Sequence, residues 1–168
     1  MSNIFDKMYI LFYILSRIFD RGTFVNETYK EISAWISAVV TLVIYGYYLS
    51  EVPEATTQAA ALNLFIRVAV AMVVMEAILE GVASAYHKPE KTDERDRLIS
   101  AKASRNASYM LMAGIVITNI QLLMPVDVAT AITHMPQTTC AVHLLILTAA
   151  ASEFLRFVSQ IAYYRRGA

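Results

Sequence analysis

HKPEKTDERDRLISAKASR, from His87 to Arg105, divides the hydrophobic part of the chain into two halves. It is the only sizeable polar segment there, and long apolar runs lie on both sides of it. Of the 168 residues, 57% are hydrophobic, whereas apolar residues make up about 45–50% of an ordinary soluble domain. No polar stretch is long enough to build a second core. We therefore expect an integral membrane protein with a single membrane domain over residues 1–168.

Four apolar segments have the length of membrane-crossing helices, which need about 20 apolar residues each. Trp35 at the start of the first and Tyr45, Tyr47 and Tyr48 towards its end are typical of aromatic anchors at the membrane interface. Pro89 ends the second segment, because proline cannot continue the helical hydrogen bonds. The predicted spans cover residues 32–50, 61–86, 107–124 and 140–164.

The polar stretch is predicted to become helical before it enters the membrane. Asp93 is a good N-cap, and Asp96 three residues later completes an arrangement like a capping box. A helix from about Glu94 to Met124 would be roughly 45 Å long, which exceeds the hydrocarbon core of about 30 Å. We expect its first turns, within residues 87–106, to project into the cytoplasm.

The N-terminal segment, residues 4–21, has a different pattern. Its charged residues fall on one side of a helical wheel and its large apolar residues on the other. This pattern predicts an amphipathic helix lying in the membrane interface. A signal peptide is the alternative, but the acidic Asp6 and the lack of a small-residue cleavage site argue against it.

The positions of lysine and arginine predict the orientation, since basic segments stay in the cytoplasm. The N-terminal segment, the polar stretch and the C-terminus are basic, whereas residues 51–60 and 125–139 contain no lysine or arginine. Four spans put all the basic segments on one side. The sequence thus predicts an all-α bundle of four transmembrane helices with an N-terminal interfacial helix and both termini cytoplasmic.

Four charged residues inside the predicted spans are candidates for function: Glu76, Glu80, Glu153 and Arg156. An ionised residue at the membrane centre costs roughly 2.5–3.5 kcal/mol on insertion scales, so each should face the bundle interior and find a partner. We expect Glu76 or Glu80 to pair with Arg156 across helices, with Glu153 beside them. Structural pairing is the first interpretation. A proton or cation path, or contact with a second subunit, are the alternatives.

A second group of residues lies towards the opposite side: Asp127, His134, Cys140 and His143. Cys140 and His143 are three residues apart on a helical turn, and one of the other two could complete a tetrahedral, zinc-like site. A packed cysteine and a histidine near the interface are the simpler interpretation, and we expect no bound metal.

Cofactors and catalysis find no support in the sequence. His87 and His143 fall at opposite ends of the spans, so they cannot ligate one haem, and neither glutamate of the second span has the histidine three residues on that a di-iron site needs. No phosphate-binding loop or nucleophile motif is present. The single cysteine excludes an internal disulfide, and the net charge of zero gives no support for nucleic-acid binding. We expect neither an enzyme nor a cofactor.

The start of the third predicted helix carries a basic stripe that ends in Tyr109. Such a stripe is typical of a contact with anionic lipid head groups. It could equally dock a cytoplasmic partner or simply be a solvated helix end. The residues predicted for this surface are Asp93, Glu94, Arg95, Asp96, Arg97, Lys102 and Arg105.

These residues carry a resemblance. Trp35 and the apolar run to Tyr45-Gly46-Tyr47-Tyr48, then Asp93-Glu94-Arg95-Asp96-Arg97, then Lys102, Arg105 and Tyr109 resemble a family of small bacterial and archaeal membrane proteins. That family has a cytoplasmic Asp-Glu-Arg-Asp motif and a domain of unknown function. The resemblance covers roughly residues 31 to 123. It implies a multi-span inner-membrane protein and supplies no activity, cofactor or site residue.

Two hypotheses for function follow. The first is a non-enzymatic accessory, regulatory or self-assembling subunit that works by interaction with membrane lipids and with copies of itself or another membrane complex. The second is a small oligomeric transporter or channel, coupled to protons or cations through the intramembrane carboxylates.

Overall fold

The computed structural model describes residues 29–55, 57–86, 93–125 and 135–166. Within these ranges the chain is helical and has no strand. Four long helices follow one another: α1 (Tyr29–Glu51), α2 (Gln58–Tyr86), α3 (Glu94–Leu123) and α4 (Gln137–Arg166), with a short 3-10 turn at Val52–Glu54. Each is long and apolar enough to cross a membrane. The predicted all-α bundle with four candidate spans is therefore confirmed, while the interfacial helix predicted at residues 4–21 lies outside the described residues.

Helix α4 is the centre of the bundle. It packs most extensively on α3, also on α1, and more sparsely on α2, while α1 packs on α2 as well. The helices therefore lie side by side in the order α2, α1, α4, α3. We call the end where α1 and α3 begin and α4 finishes the charged end, and the opposite end the far end.

An apolar face of α1 builds the main core. Residues four apart on this helix lie on one face, and this face meets Leu64 and Val68 of α2 and Ile146 of α4. The α1 residues in the cluster are Ile32, Ile36, Val40, Ile44 and Tyr48.

The α3–α4 interface is built from small residues. Ala103, Ala107 and Gly114 are buried on the α3 side. A Cβ atom added to Gly114 would lie 1.9 Å from Cγ2 of Thr148, so the two backbones approach more closely there than any other residue would allow. Close approach through small side chains is a common way for helices to associate in a membrane.

Helix α2 is packed unevenly along its length. Ala61, Leu64 and Val68 near its start are buried, whereas Val73 and Ile78 further on are exposed. Lipid chains cover such an apolar surface without cost in a bilayer. None of residues 69–78 is buried, so this part of α2 is packed less closely than its start.

The start of α3 has the predicted cap. The backbone N–H of Asp96 donates to Oδ1 of Asp93 over 2.7 Å, and the N–H of Asp93 donates to Oδ2 of Asp96 over 3.2 Å. Both bonds satisfy N–H groups that a helix start leaves unpaired. The helix continues without a break to Leu123, close to the predicted bounds from about Glu94 to Met124.

Candidate functional site: a polar cavity at the charged end

A network of polar contacts joins α1, α3 and α4 at the charged end. Lys30 of α1 forms a salt bridge with Asp96 of α3. The hydroxyl of Tyr164 on α4 donates to the other oxygen of Asp96 over 3.1 Å, and Arg95 donates to the backbone carbonyl of Tyr164 over 3.3 Å. Asp96 is therefore both part of the cap of α3 and the meeting point of α1, α3 and α4.

A second tie joins α1 to the end of α4. Nε of Arg165 donates to Oε1 of Glu31 over 3.1 Å, and the guanidinium lies 5.3 Å from the centre of the Trp35 ring. Glu31 is buried, and this pairing compensates the cost of taking its charge out of water.

Next to this network lies a polar cavity of about 390 Å³, open to the protein surface. Each of the four helices contributes one charged side chain to its wall. These are Lys30 from α1, Glu76 from α2, Asp96 from α3 and Arg156 from α4. The remaining lining residues are Ser33, Ala34, Ser37, Ser100, Phe157, Gln160 and Tyr164.

The pairing of Arg156 differs from the prediction. Its Nε and Nη2 atoms lie 2.8 and 2.7 Å from Oε2 of Glu153, three residues earlier on the same helix. Residues at this spacing are neighbours on a helix surface, so the pair forms without help from another helix. Glu153, expected beside an inter-helix pair, is instead the partner. Glu76 lines the same cavity as Arg156, but the predicted pairing of the two stays a prediction, and the side chain of Glu80 lies outside the described residues.

A row of polar side chains, partly buried at Tyr45 and buried at Tyr48 and His143, continues from this region towards the far end. Tyr45 lies within electrostatic range of Glu153 and Glu76, and its ring packs edge-on against Tyr48, with ring centres 6.4 Å apart. The hydroxyl of Tyr48 is hydrogen-bonded to Nδ1 of His143. Nε2 of His143 lies 3.1 Å from the carbonyl oxygen of Ala55.

These bonds define the state of His143. A carbonyl oxygen only accepts, so Nε2 carries the proton and donates it to Ala55, and in the neutral ring Nδ1 then accepts from Tyr48. Both ring nitrogens are therefore occupied by protein groups. Within the described residues His143 has no nitrogen left for a metal, and no group of three metal-binding side chains forms there. Asp127 and His134, the other candidates besides Cys140, lie outside those residues.

The residues predicted for a cytoplasmic surface divide into two sets. Asp93, Asp96 and Arg95 hold the fold, through the cap and the contacts to Lys30 and Tyr164. The others are exposed at the surface, and the Lys102 ammonium lies 5.6 Å from the centre of the Tyr163 ring. This exposed set consists of Glu94, Arg97, Lys102 and Arg105.

Sequence reasoning missed the tyrosines and Lys30. Tyr45 and Tyr48 were interpreted as interface anchors, although both point into the bundle. A usable signal was present: Ser37, Thr41, Tyr45 and Tyr48 recur every three or four residues and so lie on one face of an otherwise apolar helix. Lys30 carried no such signal, because its partner is 66 residues away.

No family model matches this chain, and no curated protein or solved structure is significantly similar to it. The resemblance drawn from the Asp-Glu-Arg-Asp motif stays a prediction that rests on the quoted residues.

Proposed function

We propose that this protein is a small, non-enzymatic inner-membrane protein that moves protons or cations through the cavity at the charged end. The observation that supports this proposal best is the cavity wall, to which all four helices bring a charged side chain. Intramembrane ionisable residues commonly mark ion pathways and proton relays.

The volume of the cavity favours transport over purely structural pairing. Charged side chains that serve only to fix helix register need no open space around them. At about 30 Å³ for each water molecule, a cavity of about 390 Å³ has room for roughly a dozen waters. A hydrated cavity keeps its charged groups accessible to ions and protons from one side of the membrane.

Among the carboxylates that the structure describes at this site, Glu76 is the strongest candidate for the group that binds the transported proton or cation. Glu76 lines the cavity and lies within electrostatic range of Tyr45, where the polar row towards the far end begins. It is carried by a stretch of α2, residues 69–78, in which no residue is buried, so a change in protonation or a bound cation is accommodated with little repacking. We therefore assign proton or cation binding to Glu76.

We further propose an orientation and an assembly. Most of the lysines and arginines within the described residues lie at the charged end, with Arg67 at the far end, and by the positive-inside rule we assign the charged end and both termini to the cytoplasm. Four helices are few for a complete path, so the working form is a homo-oligomer. The apolar face of α2 around Val73 and Ile78, exposed in one chain, is available for contact between copies.

Proton flux into proteoliposomes tests the proposal. Purified protein is reconstituted with a pH-sensitive dye inside the vesicles, and a potassium gradient with valinomycin drives uptake. We expect Glu76→Gln to lower the flux at least tenfold. Glu94→Gln, which removes an exposed carboxylate outside the cavity, should retain the wild-type flux. Wild-type flux no greater than that of empty vesicles, or full flux in Glu76→Gln, would contradict the proposal.

The same exposed face of α2 supports a second candidate function, that of an accessory or self-assembling subunit without transport. In that case the face binds a neighbouring subunit, and the cavity is a by-product of loose packing. Chemical cross-linking in native membranes, through a cysteine placed at Val73 in a Cys140→Ser background, distinguishes the two. A cross-linked complex together with zero flux favours the subunit, whereas monomeric protein without any flux excludes both.

A further inference from the structure

A second, smaller pocket lies at the far end of the bundle. Its volume is about 180 Å³, and its wall carries two acids and one base, Glu51, Glu54 and Arg67. The other residues of the wall are Ala55, Ala60, Asn63 and Leu64. This pocket and the cavity at the charged end share no lining residue.

Ala55 connects the far-end pocket to the bundle interior. It forms part of the pocket wall, and its carbonyl oxygen accepts the Nε2–H of His143. The other ring nitrogen, Nδ1, is hydrogen-bonded to the hydroxyl of Tyr48, which is fully buried. Tyr48 lies on the face of α1 that leads towards the cavity. His143 is thus one hydrogen bond away from each neighbour in a row between the two openings.

The direction of the side chains continues this row on the cavity side. Side chains on a helix lean towards its N-terminus, so Tyr45 of α1 leans towards the charged end and Glu153 of α4 leans towards the far end. Their electrostatic proximity agrees with this geometry. Thr41, one turn from Tyr45 and one turn from the cavity-lining Ser37, adds a buried hydroxyl that has no hydrogen-bond partner within the described residues.

We propose that Tyr48 and His143 form a proton relay between the far-end pocket and the cavity at the charged end. This inference rests on the proposed function and identifies the path by which a proton leaves the bundle on the side opposite Glu76. It also selects protons over other cations, because a hydrogen-bonded tyrosine–histidine pair passes protons and blocks hydrated metal ions.

In the first transfer, one proton leaves Tyr48 and another reaches the far-end pocket. The O–H bond of Tyr48 breaks and an N–H bond forms at Nδ1 of His143. The Nε2–H bond of the ring breaks, and its proton passes to water from the far-end pocket that takes the place of the Ala55 carbonyl. The phenolate of Tyr48 regains a proton from the cavity side through water next to Tyr45. A half-turn of the ring then points Nδ1–H towards the far-end pocket and Nε2 towards Tyr48. A second transfer in the same direction breaks the Nδ1–H bond, releases that proton to water in the pocket and forms an N–H bond at Nε2. The ring turns back, and the starting tautomer is regenerated after two protons have moved.

The charged and titratable groups around His143 suit this role. From α1 it faces Tyr48, with Tyr45 behind. Cys140 precedes it by one turn on its own helix. On the side of Ala55, Glu51 and Glu54 line the pocket together with Arg67 of α2. The two acids provide acceptors for protons that arrive at the far end.

Flux measurements on two variants test the relay, with a matched control. Tyr48→Phe removes one hydroxyl from the relay, whereas Tyr109→Phe removes one from a side chain that is 67% exposed on α3. We expect Tyr48→Phe to lower proton flux at least tenfold and Tyr109→Phe to leave it unchanged. His143→Ala should also lose flux, and added imidazole should restore part of it, since the free ring can occupy the space and carry protons.

The outcomes separate the relay from the proposed function. If the wild type conducts and Tyr48→Phe conducts equally well, the relay is wrong while transport through the cavity stands. If His143→Ala loses flux and added imidazole does not restore it, His143 has a structural role and does not carry protons. A wild type without flux overturns the proposed function and the relay together.

A measurement on the unchanged site covers the case in which neither variant folds. Nitrogen-15 histidine spectra, recorded on the chain with His87→Asn and His134→Asn in lipid bilayers, report His143 alone. The relay predicts a neutral ring protonated at Nε2 whose proton exchanges with bulk water. A proton at Nε2 that is fully protected from exchange would overturn the relay.

Discussion

The two faces of α4 contrast with each other. Towards α3, α4 packs against small residues at very short range, with Gly114 against Thr148. Hydrogen bonds between polar groups join α3 and α4 at both ends. At the far end Gln121 and Gln137 exchange hydrogen bonds with each other's backbone. Towards α1 and α2, the same helix borders a row of polar side chains and the cavity, whose wall α3 completes with Asp96 and Ser100.

The contrast separates stability from function within one small bundle. Close packing leaves no room for water, so the α3–α4 face contributes dispersion contacts and rigidity. The opposite face leaves charged groups accessible, which costs packing but permits proton exchange. Substitutions on the first face should therefore change stability, and those on the second should change flux.

The largest effect is expected at the closest contact of the α3–α4 face. Gly114→Ala places a methyl group into the Thr148 side chain, and we expect the free energy of unfolding to fall by about 3 kcal/mol, at the upper end for overpacking. The double variant Gly114→Ala/Thr148→Gly should recover most of this loss, because it moves the glycine to the other helix. Unfolding in mixed detergent micelles, followed by circular dichroism, measures both.

Gly46→Ala is the matched control, because nothing lies within 4 Å of a Cβ atom at Gly46. It should be neutral or stabilising, since alanine is favoured over glycine in a helix by up to about 1 kcal/mol. Equal losses for Gly46→Ala and Gly114→Ala would contradict the close contact.

The next largest effect concerns the charged end. Asp96→Ala removes the acceptor for Lys30, for Tyr164 and for the cap of α3. Because hydrogen bonds to charged groups contribute about 1.5–3 kcal/mol, we expect a loss of roughly 2 kcal/mol in unfolding free energy. Glu94→Ala, on the same helical turn but exposed, should change it by about 0.5 kcal/mol or less. The same unfolding assay measures both variants. An unchanged unfolding free energy in Asp96→Ala would show that the network does not hold the helices together.

A smaller effect is expected at the exposed basic surface of α3. One basic residue near a membrane surface contributes about 1 kcal/mol to the attraction of anionic lipid. Adding phosphatidylglycerol to protein in neutral bicelles should raise the melting temperature, and Lys102→Gln should reduce that rise. Arg67→Gln, a basic residue at the opposite end, is the control. If phosphatidylglycerol raises the melting temperature of Lys102→Gln as much as that of the wild type, Lys102 does not contribute to lipid binding.

The smallest change in stability is expected at the Glu153–Arg156 pair. Its side chains are 47% and 34% exposed, and partly exposed ion pairs contribute about 0.5 kcal/mol. Glu153→Gln should therefore leave the unfolding free energy nearly unchanged while it lowers proton flux. If Glu153→Gln lowers the unfolding free energy by more than 2 kcal/mol, or leaves proton flux unchanged, the Glu153–Arg156 pair has a structural role and no role in transport.

The fold was largely predictable because apolar run lengths and capping residues are local signals. The four spans and the Asp93 cap follow from residues within a few positions of each other. The site was only partly predictable. Glu76 and Arg156 were identified by their charge in an apolar run, and the structure brings both to one cavity. The Lys30–Asp96 and Tyr48–His143 contacts join residues 66 and 95 positions apart, and only the lateral order of the helices determines such partners.

Thiol accessibility measures most directly whether the charged-end cavity is filled with water from the cytoplasm. In a Cys140→Ser background, Ser37→Cys places a thiol in the cavity wall, and Val73→Cys places one on the apolar face of α2, where that position is 70% exposed. A charged, membrane-impermeant thiol reagent is applied to inside-out vesicles and to right-side-out spheroplasts. We expect rapid labelling of Ser37→Cys in inside-out vesicles alone, with Val73→Cys unlabelled in both. No labelling of Ser37→Cys, or labelling from the outside, would contradict it.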